Sequence, residues 1–259
     1  MTDRPVAAST TPARSLAQAN REPGRDTIFG VVTLLNALVR PLTKRDWRAQ
    51  EKVPQTGGVI FVVNHISNAD PLALGQFLAF SGRWPRFLAK ASLFEVPALG
   101  RILRACGQIP VQRQSARSAD ALRAAVAAVN QGRAVVIYPE GTITRDPDLW
   151  PMAGKTGAAR LALRTGCPVI PIGQWGAQEL MYGPQIHFPK LLPRKTLRML
   201  VGDPVNLDDL RGQPVTAETL DAATDRIMDA ITALVAELRQ QQPPEVRFIP
   251  PASAPDRPR

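Results

Sequence analysis

A histidine and an aspartate lie five residues apart directly after an apolar stretch. The stretch is Val59–Val63, and His65 and Asp70 follow it in the segment NHISNAD. Imidazole accepts a proton near neutral pH, and a carboxylate bound to one ring nitrogen holds the ring in one orientation. Residues five apart do not share one face of a helix, so we expect His65 in a loop before a helix. The spacing therefore predicts a general base oriented by a carboxylate.

Asp70 and Pro71 also fit a helix start, with aspartate as the N-cap and proline as the first helical residue. On that interpretation Asp70 only caps, although a capping carboxylate keeps lone pairs with which it can also orient His65. The chain contains no G-x-S-x-G segment, and neither cysteine lies in a nucleophile motif. The pair therefore predicts that a hydroxyl of the substrate is the nucleophile and that His65 removes its proton.

Three further segments place polar or glycine residues after apolar runs. YPEGTIT contains Glu140, Gly141 and Thr142, and Gly141 allows a substrate to approach the backbone closely. GQIPVQR ends at Arg113, whose guanidinium suits a two-pronged phosphate contact. VIPIGQWG ends in a glycine-rich turn. Ligand sites gather at the carboxyl ends of strands in α/β sheets, so these segments predict one site, although each alone also fits a strand and a turn.

Apolar runs that alternate with helical patterns must position these residues. This alternation predicts a single α/β domain with a central mixed, largely parallel sheet flanked by helices. A long amphipathic helix is predicted near the end of the domain, which spans residues 27–241. The predicted strands are Val59–Val63, Arg86–Ala89, Ala134–Tyr138, Pro168–Ile172 and Leu197–Val201.

Both ends of the chain differ in composition from this domain. Residues 1–26 are polar and predicted to be a disordered arm, and residues 242–259 are predicted to be a proline-rich tail. The apolar run Ile28–Val39 would reach about 18 Å as a helix, whereas a bilayer core is about 30 Å thick. Basic residues follow it, so residues 27–48 are predicted to be a membrane-interface helix with a basic flank. A core helix of a soluble domain is the alternative.

Charge and composition limit the classes of partner. With 32 basic and 22 acidic residues the net charge is +10, which favours anionic lipids, phosphorylated substrates or nucleic acid. No zinc-finger spacing or RNA-binding signature is present, which disfavours nucleic acid. Two cysteines and two histidines predict neither a disulfide framework nor a metal site. The segment AGKTG ends like a P-loop but has Leu149 where that motif needs glycine, and His187 is predicted to be structural.

The segments NHISNAD, GQIPVQR, YPEGTIT and VIPI, in this order, resemble the four blocks of the 1-acylglycerol-3-phosphate acyltransferase family (lysophosphatidate acyltransferase, PlsC-type). The similarity covers about Gly57 to Val205. It matches the family's H-x4-D motif as His65 and Asp70, and its E-G-T motif at residues 140–142.

The resemblance implies that an acyl group moves from a thioester to a hydroxyl, with His65 as base and Asp70 as its orienter. It further implies that Arg113 holds the glycerol-phosphate and that Lys90 is a second phosphate contact. Glu140, Gly141 and Thr142 would shape the acceptor site. The family usually has arginine directly after E-G-T, where this chain has Ile143. Arg145 is the predicted substitute, with Lys155 as a weaker candidate.

By this resemblance the acceptor is lysophosphatidate, the product is phosphatidic acid, and the donor is acyl-CoA or acyl carrier protein. No cofactor or nucleic acid is expected, and the protein would lie peripherally on the cytoplasmic face of an anionic cell membrane. Other acceptors remain open, namely glycerol-3-phosphate, a lysophospholipid or a phosphoinositol mannoside. A non-catalytic membrane or nucleic-acid binder is the alternative outside this class. The sequence leaves the oligomeric state open.

Overall fold

A seven-stranded sheet forms the centre of the computed structural model, which describes residues 15–20, 26–112, 118–181, 190 and 192–251. The strands in chain order are β1 Thr43–Arg48, β2 Val59–Val63, β3 Pro85–Lys90, β4 Ile109–Val111, β5 Ala134–Ile137, β6 Val169–Trp175 and β7 Lys195–Val201. The helices are α1 Leu16–Ala19, α2 Asp26–Val39, α3 Asp70–Phe80, α4 Pro97–Ala105, α5 Ser118–Asn130, α6 Gly157–Thr165 and α7 Ala217–Arg239.

The strands lie side by side in the order β1-β7-β6-β2-β5-β3-β4. All neighbours are parallel except β6 and β7, so the predicted mixed, largely parallel sheet is confirmed. Two strands had not been predicted. The first, β1, is charged because it lies at the sheet edge, where side chains reach water. The second, β4, has only three residues and gives a short sequence signal.

The central strand shows why the core needs helices on both faces. Every residue of β2 is buried, because alternate side chains enter different apolar clusters. Phe61 packs with α3 on one face, and Ile60 and Val62 pack with α5, α6 and α7 on the other. The carboxyl end of β2 is thereby fixed in the middle of the edge that the carboxyl ends of the strands form, and His65 lies two residues after it.

The described part of the predicted N-terminal arm is ordered. Residues 15–20 contain the short helix α1, and Leu16 packs against Ile28 and Val32 of α2. Asn20 donates a hydrogen bond of 3.2 Å to the carbonyl of Ala79. The prediction of disorder is wrong for these residues, because one apolar side chain and one amide find partners on the domain.

Residues 242–251 also pack on the domain rather than extending from it as a tail. The guanidinium of Arg247 forms ion pairs with Asp225 and Asp229, which lie four residues apart on α7. The carbonyl of Phe248 accepts a hydrogen bond of 2.9 Å from the N–H of Ala153. A proline-rich composition does not reveal such pairings. Residues 252–259 lie outside the described residues.

The helix α2 contacts the domain through both apolar and polar side chains. Ile28 and Val32 are buried, and the amide oxygen of Asn36 accepts hydrogen bonds from Gln76 at 3.0 Å and from Arg45. Burial, and then the charge of Arg40, lower the pKa of Arg45 to about 10. Part of the predicted basic flank therefore lies inside the fold, in strand β1.

No helix among the described residues is both long enough and apolar enough to cross a bilayer.

Candidate active site

The His65 and Asp70 side chains meet as the spacing predicts. Nδ1 of His65 lies 2.8 Å from Oδ2 of Asp70. A carboxylate only accepts hydrogen bonds, so the neutral ring carries its proton on Nδ1 and leaves Nε2 as an acceptor. Within the described part of the chain no hydrogen bond reaches Nε2. The His65 side chain is 15% exposed and Asp70 is fully buried, so a substrate can reach the imidazole but not the carboxylate.

Asp70 is not the predicted N-cap. The N-cap position is held by Ala69, and Asp70 and Pro71 are the first two helical residues. Instead of bonding the N–H groups of its own helix, Oδ2 of Asp70 accepts hydrogen bonds from the N–H groups of Ile66 at 2.7 Å and Ser67 at 2.8 Å. The carboxylate therefore organises the loop that carries His65.

The aromatic ring of Tyr138 covers one face of the His65 imidazole. The ring centroids are 4.2 Å apart and the planes differ by 19°. Burial raises the pKa of the Tyr138 phenol well above its ordinary value, and the charge of Asp70 raises it further, so the phenol stays protonated. The sequence gives no signal for this contact, because a tyrosine at the end of an apolar run does not reveal which side chain it stacks on.

Glu140 lies behind His65 and not in an open acceptor site. Its Oε1 accepts a hydrogen bond of 2.8 Å from the N–H of His65, and its Oε2 accepts one of 3.1 Å from the N–H of Met152. The Thr144 N–H also donates to the carbonyl of His65, at 2.7 Å. Glu140 is only 1% exposed, so any shaping of the acceptor site by this carboxyl acts through the backbone that it binds. It holds the backbone of the base in place.

Burial changes the protonation of this carboxyl. It raises the pKa of Glu140 to about 8, although the N–H groups of Met152 and His65 act against the shift. The folded chain therefore binds more protons than the unfolded chain between the ordinary value of 4.5 and about 8. We expect the free energy of unfolding to fall across this window as the pH rises, by up to about 1.4 kcal/mol per pH unit, and to level off above it.

Urea unfolding at several pH values between about 5 and about 8 measures this slope. The variant Glu140→Gln should lose the slope, since its amide does not titrate. The matched variant Glu179→Gln, at an exposed position, should keep it. An unchanged slope in Glu140→Gln would assign the titration to another group.

Gly141 ends the turn after β5, where its N–H donates to the carbonyl of Tyr138 at 2.9 Å, and it lies beneath the side chain of Lys155. With φ of +71° it occupies the left-handed region that favours glycine, and a Cβ there would lie 3.1 Å from Nζ of Lys155. The N–H of Lys155 donates to the carbonyl of Pro139 at 2.8 Å, which brings the lysine over the turn. Thr142, the next residue, is partly exposed. A side chain at residue 141 would therefore collide with this cation.

The strand register places Lys90 at the same carboxyl edge of the sheet as Glu140. Phe87 pairs with Val136, so Lys90 is level with the residue before Glu140 on the neighbouring strand. Two strand spacings separate β3 from β2, which is about 10 Å. Lys90 is exposed and lies on the far side of Glu140 from His65. Lys90 and Lys155 are thus both placed near the segment around Glu140, Lys90 by the strand register and Lys155 by its contacts with Pro139 and Gly141.

The other predicted phosphate contacts are placed differently. Arg145 is exposed, and within the described residues it makes no hydrogen bond or ion pair. Asp146 accepts hydrogen bonds from the N–H groups of Asp148 and Trp150, so the segment turns directly after Arg145. Arg113 follows the end of β4 by two positions and lies outside the described residues. His187 also lies outside the described residues.

A second pair of buried amides ties the base loop to β6. Nδ2 of Asn64 donates to the carbonyl of Gln174 at 3.0 Å, and Nε2 of Gln174 donates to the carbonyl of Asn64 at 2.6 Å. Both side chains are fully buried. In the sequence this contact is indicated only by polar residues that lie directly after or within buried strands.

The described residues contain no cluster of histidine, cysteine and acidic side chains that could hold a metal ion.

The fold places a histidine that is oriented by a carboxylate at the carboxyl edge of an α/β sheet, which is the arrangement that general base catalysis on a hydroxyl group requires. The sequence profile described as Acyltransferase matches residues 44–175, which include the whole of β2, β5 and β6. The chain belongs to this acyltransferase family.

Characterised relatives share this region. A chloroplast 1-acyl-sn-glycerol-3-phosphate acyltransferase of Brassica napus is 32% identical over 148 residues, which are 55% of this chain and 40% of that protein. A 1-acyl-sn-glycerol-3-phosphate acyltransferase of Borreliella burgdorferi is 36% identical over 123 residues, which are 47% of each chain. The chain thus spans less than half the length of these relatives.

A solved structure shows the same fold. The 1-acyl-sn-glycerophosphate acyltransferase PlsC of Thermotoga maritima superposes with a TM-score of 0.64 at 22% identity, over 84% of this chain and 81% of that one. The superposition confirms the single α/β domain that the sequence predicts.

Proposed function

We propose that the protein transfers a fatty acyl group from an acyl thioester to the free hydroxyl of 1-acylglycerol-3-phosphate, which gives phosphatidic acid. The observation that carries this proposal is the pair of His65 and Asp70, with Nε2 accessible at the carboxyl edge of the sheet. The names of the relatives that share this region support the choice of acceptor. The donor is acyl-CoA or acyl carrier protein, and the reaction uses no further cofactor.

The geometry supports a direct transfer. Nε2 of His65 takes the proton from the acceptor hydroxyl while its oxygen attacks the thioester carbonyl. The carbon–sulfur bond then breaks, the new ester is released, and the imidazolium returns the proton to the thiolate. Asp70 stabilises the imidazolium through the bond to Nδ1. Ser67 is an unsuitable nucleophile, because its hydroxyl donates to the carbonyl of Met181 and accepts from the N–H of Ala69.

The acceptor phosphate is proposed to lie on the Lys90 side of the base. Lys155 lies over the Gly141 turn, and Lys90 ends the strand next to the one that precedes Glu140. Lys155, and not Arg145, therefore supplies the cation next to the E-G-T turn. Arg113 keeps its predicted role as a phosphate contact.

The variant Lys155→Met tests this assignment. A charge-assisted contact contributes about 1.5–3 kcal/mol, so the rate on lysophosphatidate should fall about tenfold to a hundredfold. The rate on uncharged monoacylglycerol should stay unchanged, since that acceptor has no phosphate. The matched variant Arg145→Met should leave both rates unchanged. Equal losses on both acceptors in Lys155→Met would remove the phosphate role from Lys155.

The proposed location is a peripheral position on the cytoplasmic face of an anionic cell membrane. The side chains of Leu34 and Leu38 on α2 are 62% and 58% exposed, whereas the polar Asn36 points to the protein. The helix therefore exposes apolar side chains in addition to the buried Ile28 and Val32, whereas a helix that only covers a water-soluble core exposes polar ones. This exposure supports an α2 that lies in the membrane interface with the exposed basic residues Arg40 and Lys44 at its end.

A panel of acceptors tests the function as a whole. Purified protein is mixed with oleoyl-CoA and one acceptor at a time, namely lysophosphatidate, glycerol-3-phosphate, a lysophospholipid, a phosphoinositol mannoside or monoacylglycerol. Thiol release is followed and the lipid products are identified by mass. We expect the highest rate with lysophosphatidate. A higher rate with another acceptor would replace the proposed substrate, and no thiol release with any acceptor, or with acyl carrier protein as donor, would contradict acyl transfer.

A further inference from the structure

A row of exposed apolar side chains lies on α4, outside the residues that the proposed reaction uses. Val96, Leu99 and Ile102 are 46%, 38% and 42% exposed. They are three residues apart, so they follow one side of the helix. These three residues are called the α4 row. Single exposed apolar residues are common on proteins, whereas a row on one helix side marks a contact surface.

The α4 row continues the apolar surface of α2. Cys106, directly after α4, packs against Ile28 and Val32 of α2. Among the described residues eleven large apolar side chains are exposed, and seven of them lie on α2, on α4 with its N-cap Val96, and at the start of α3. These seven are Phe29, Leu34, Leu38, Leu72, Val96, Leu99 and Ile102. The exposed apolar side chains are therefore concentrated on three neighbouring helices.

This surface reaches the active site through Leu72. Leu72 is 50% exposed and lies two residues after Asp70. It is one helical turn before Gln76, whose amide donates to Asn36 of α2. The surface therefore extends from α2 along α3 to the first turn of α3, where Asp70 orients His65.

Charge favours a lipid surface as the occupant. Arg101 on α4 and Arg40 and Lys44 after α2 are exposed, with Glu95 as the acidic residue at the start of α4. Apolar side chains with basic residues beside them match a bilayer that carries anionic headgroups. An amphiphilic acceptor resides in such a bilayer, so the surface beside the base is the one that must meet it.

We infer that the α4 row is a second lipid-contacting surface, which acts with α2 to place the entrance of the active site on an anionic bilayer. This inference rests on the proposed function for the nature of the acceptor. Two contacts, one on each helix, fix the orientation of the protein on the membrane, whereas α2 alone would allow it to tilt about the helix axis.

The variant Leu99→Glu tests the inference, with Val215→Glu as a control of similar exposure that lies away from α2 and α4. Co-sedimentation with vesicles of phosphatidylcholine and phosphatidylglycerol measures membrane binding. We expect Leu99→Glu to lower the partition constant about tenfold or more and Val215→Glu to leave it unchanged. Leu99→Gln, which adds no charge, should lower it severalfold, and this separates lost apolar insertion from charge repulsion.

A rate measured without vesicles, on a water-soluble short-chain donor and acceptor, separates an effect on membrane binding from an effect on catalysis. We expect Leu99→Glu to match wild type in that assay. Wild-type partition of Leu99→Glu would overturn the inference, and so would an equal loss in Val215→Glu. A slower reaction with acyl carrier protein alone, at unchanged partition, would assign the row to contact with that carrier protein and overturn the lipid contact. If wild type transferred no acyl group, the proposed function would fail while the partition data still decided the role of the row.

Discussion

Replacing His65 by alanine is expected to reduce acyl transfer to lysophosphatidate by about a hundredfold to ten-thousandfold, the usual contribution of general base catalysis. The imidazole is the group that can accept the hydroxyl proton, and its Nε2 is accessible. The rate is measured by thiol release with saturating donor. The contacts of residue 65 with Glu140 and Thr144 use backbone groups, so the variant should remain folded.

The other histidine of the chain provides a matched control. The variant His187→Ala should keep a wild-type rate, since the sequence predicts no part in the chemistry for this residue. Thermal unfolding of both variants should follow that of wild type to within a few degrees. If His65→Ala retained a tenth or more of the wild-type rate in a folded protein, another group would have to be the base.

Replacing Asp70 by asparagine is expected to lower the rate about a hundredfold or more with a small effect on stability. The asparagine oxygen can still accept hydrogen bonds from the N–H groups of Ile66 and Ser67. The change removes the negative charge that stabilises the imidazolium and fixes the tautomer of His65. The rate and the urea unfolding curve are measured on the same preparation.

The variant Asp70→Ala separates the two roles of this carboxylate. It leaves two buried N–H groups without an acceptor, which costs about 1–3 kcal/mol for each group, so this variant should lose stability as well as rate. A near-wild-type rate in Asp70→Asn would limit Asp70 to organising the loop. Comparable stability in all three proteins would contradict the hydrogen bonds seen at Oδ2.

The sequence predicts the centre of this fold better than its edges. β2 and β5 are buried on both faces and therefore appear as unbroken apolar runs, which are recognisable without an alignment. β1 has the composition of a surface segment because it is an edge strand, and its residues had been assigned to the basic flank of a helix. Only the pairing of β1 with β7, about 150 residues away, makes it a strand.

The same distinction applies to the active site. His65 and Asp70 are close in sequence, so their spacing alone predicts the contact. Glu140 acts through the backbone N–H groups of residues 65 and 152. Every residue except proline has such a group, so the sequence does not show which ones Glu140 binds. Its burial and its positioning role are therefore visible only in three dimensions.

The cation beside the E-G-T turn shows a related limit. Arg145 was the predicted contact because it is near Ile143 in sequence. In the structure the chain turns at Asp146, while Lys155 returns to the turn through the hydrogen bond of its N–H to Pro139. A loop brings a residue fourteen positions after Gly141 back onto it, and proximity along the chain gives no sign of this contact.

One measurement tests the central claim most directly, namely that the acceptor hydroxyl attacks the thioester with His65 as base and without an acylated protein. Excess protein is mixed with oleoyl-CoA, with and without lysophosphatidate, and the masses of the intact protein and of the lipids are determined after one turnover. We expect one phosphatidic acid for each thiol released, thiol release that depends on lysophosphatidate, and an unmodified protein mass. A protein that carries the acyl group, or thiol release that is equally fast without lysophosphatidate, would contradict the account.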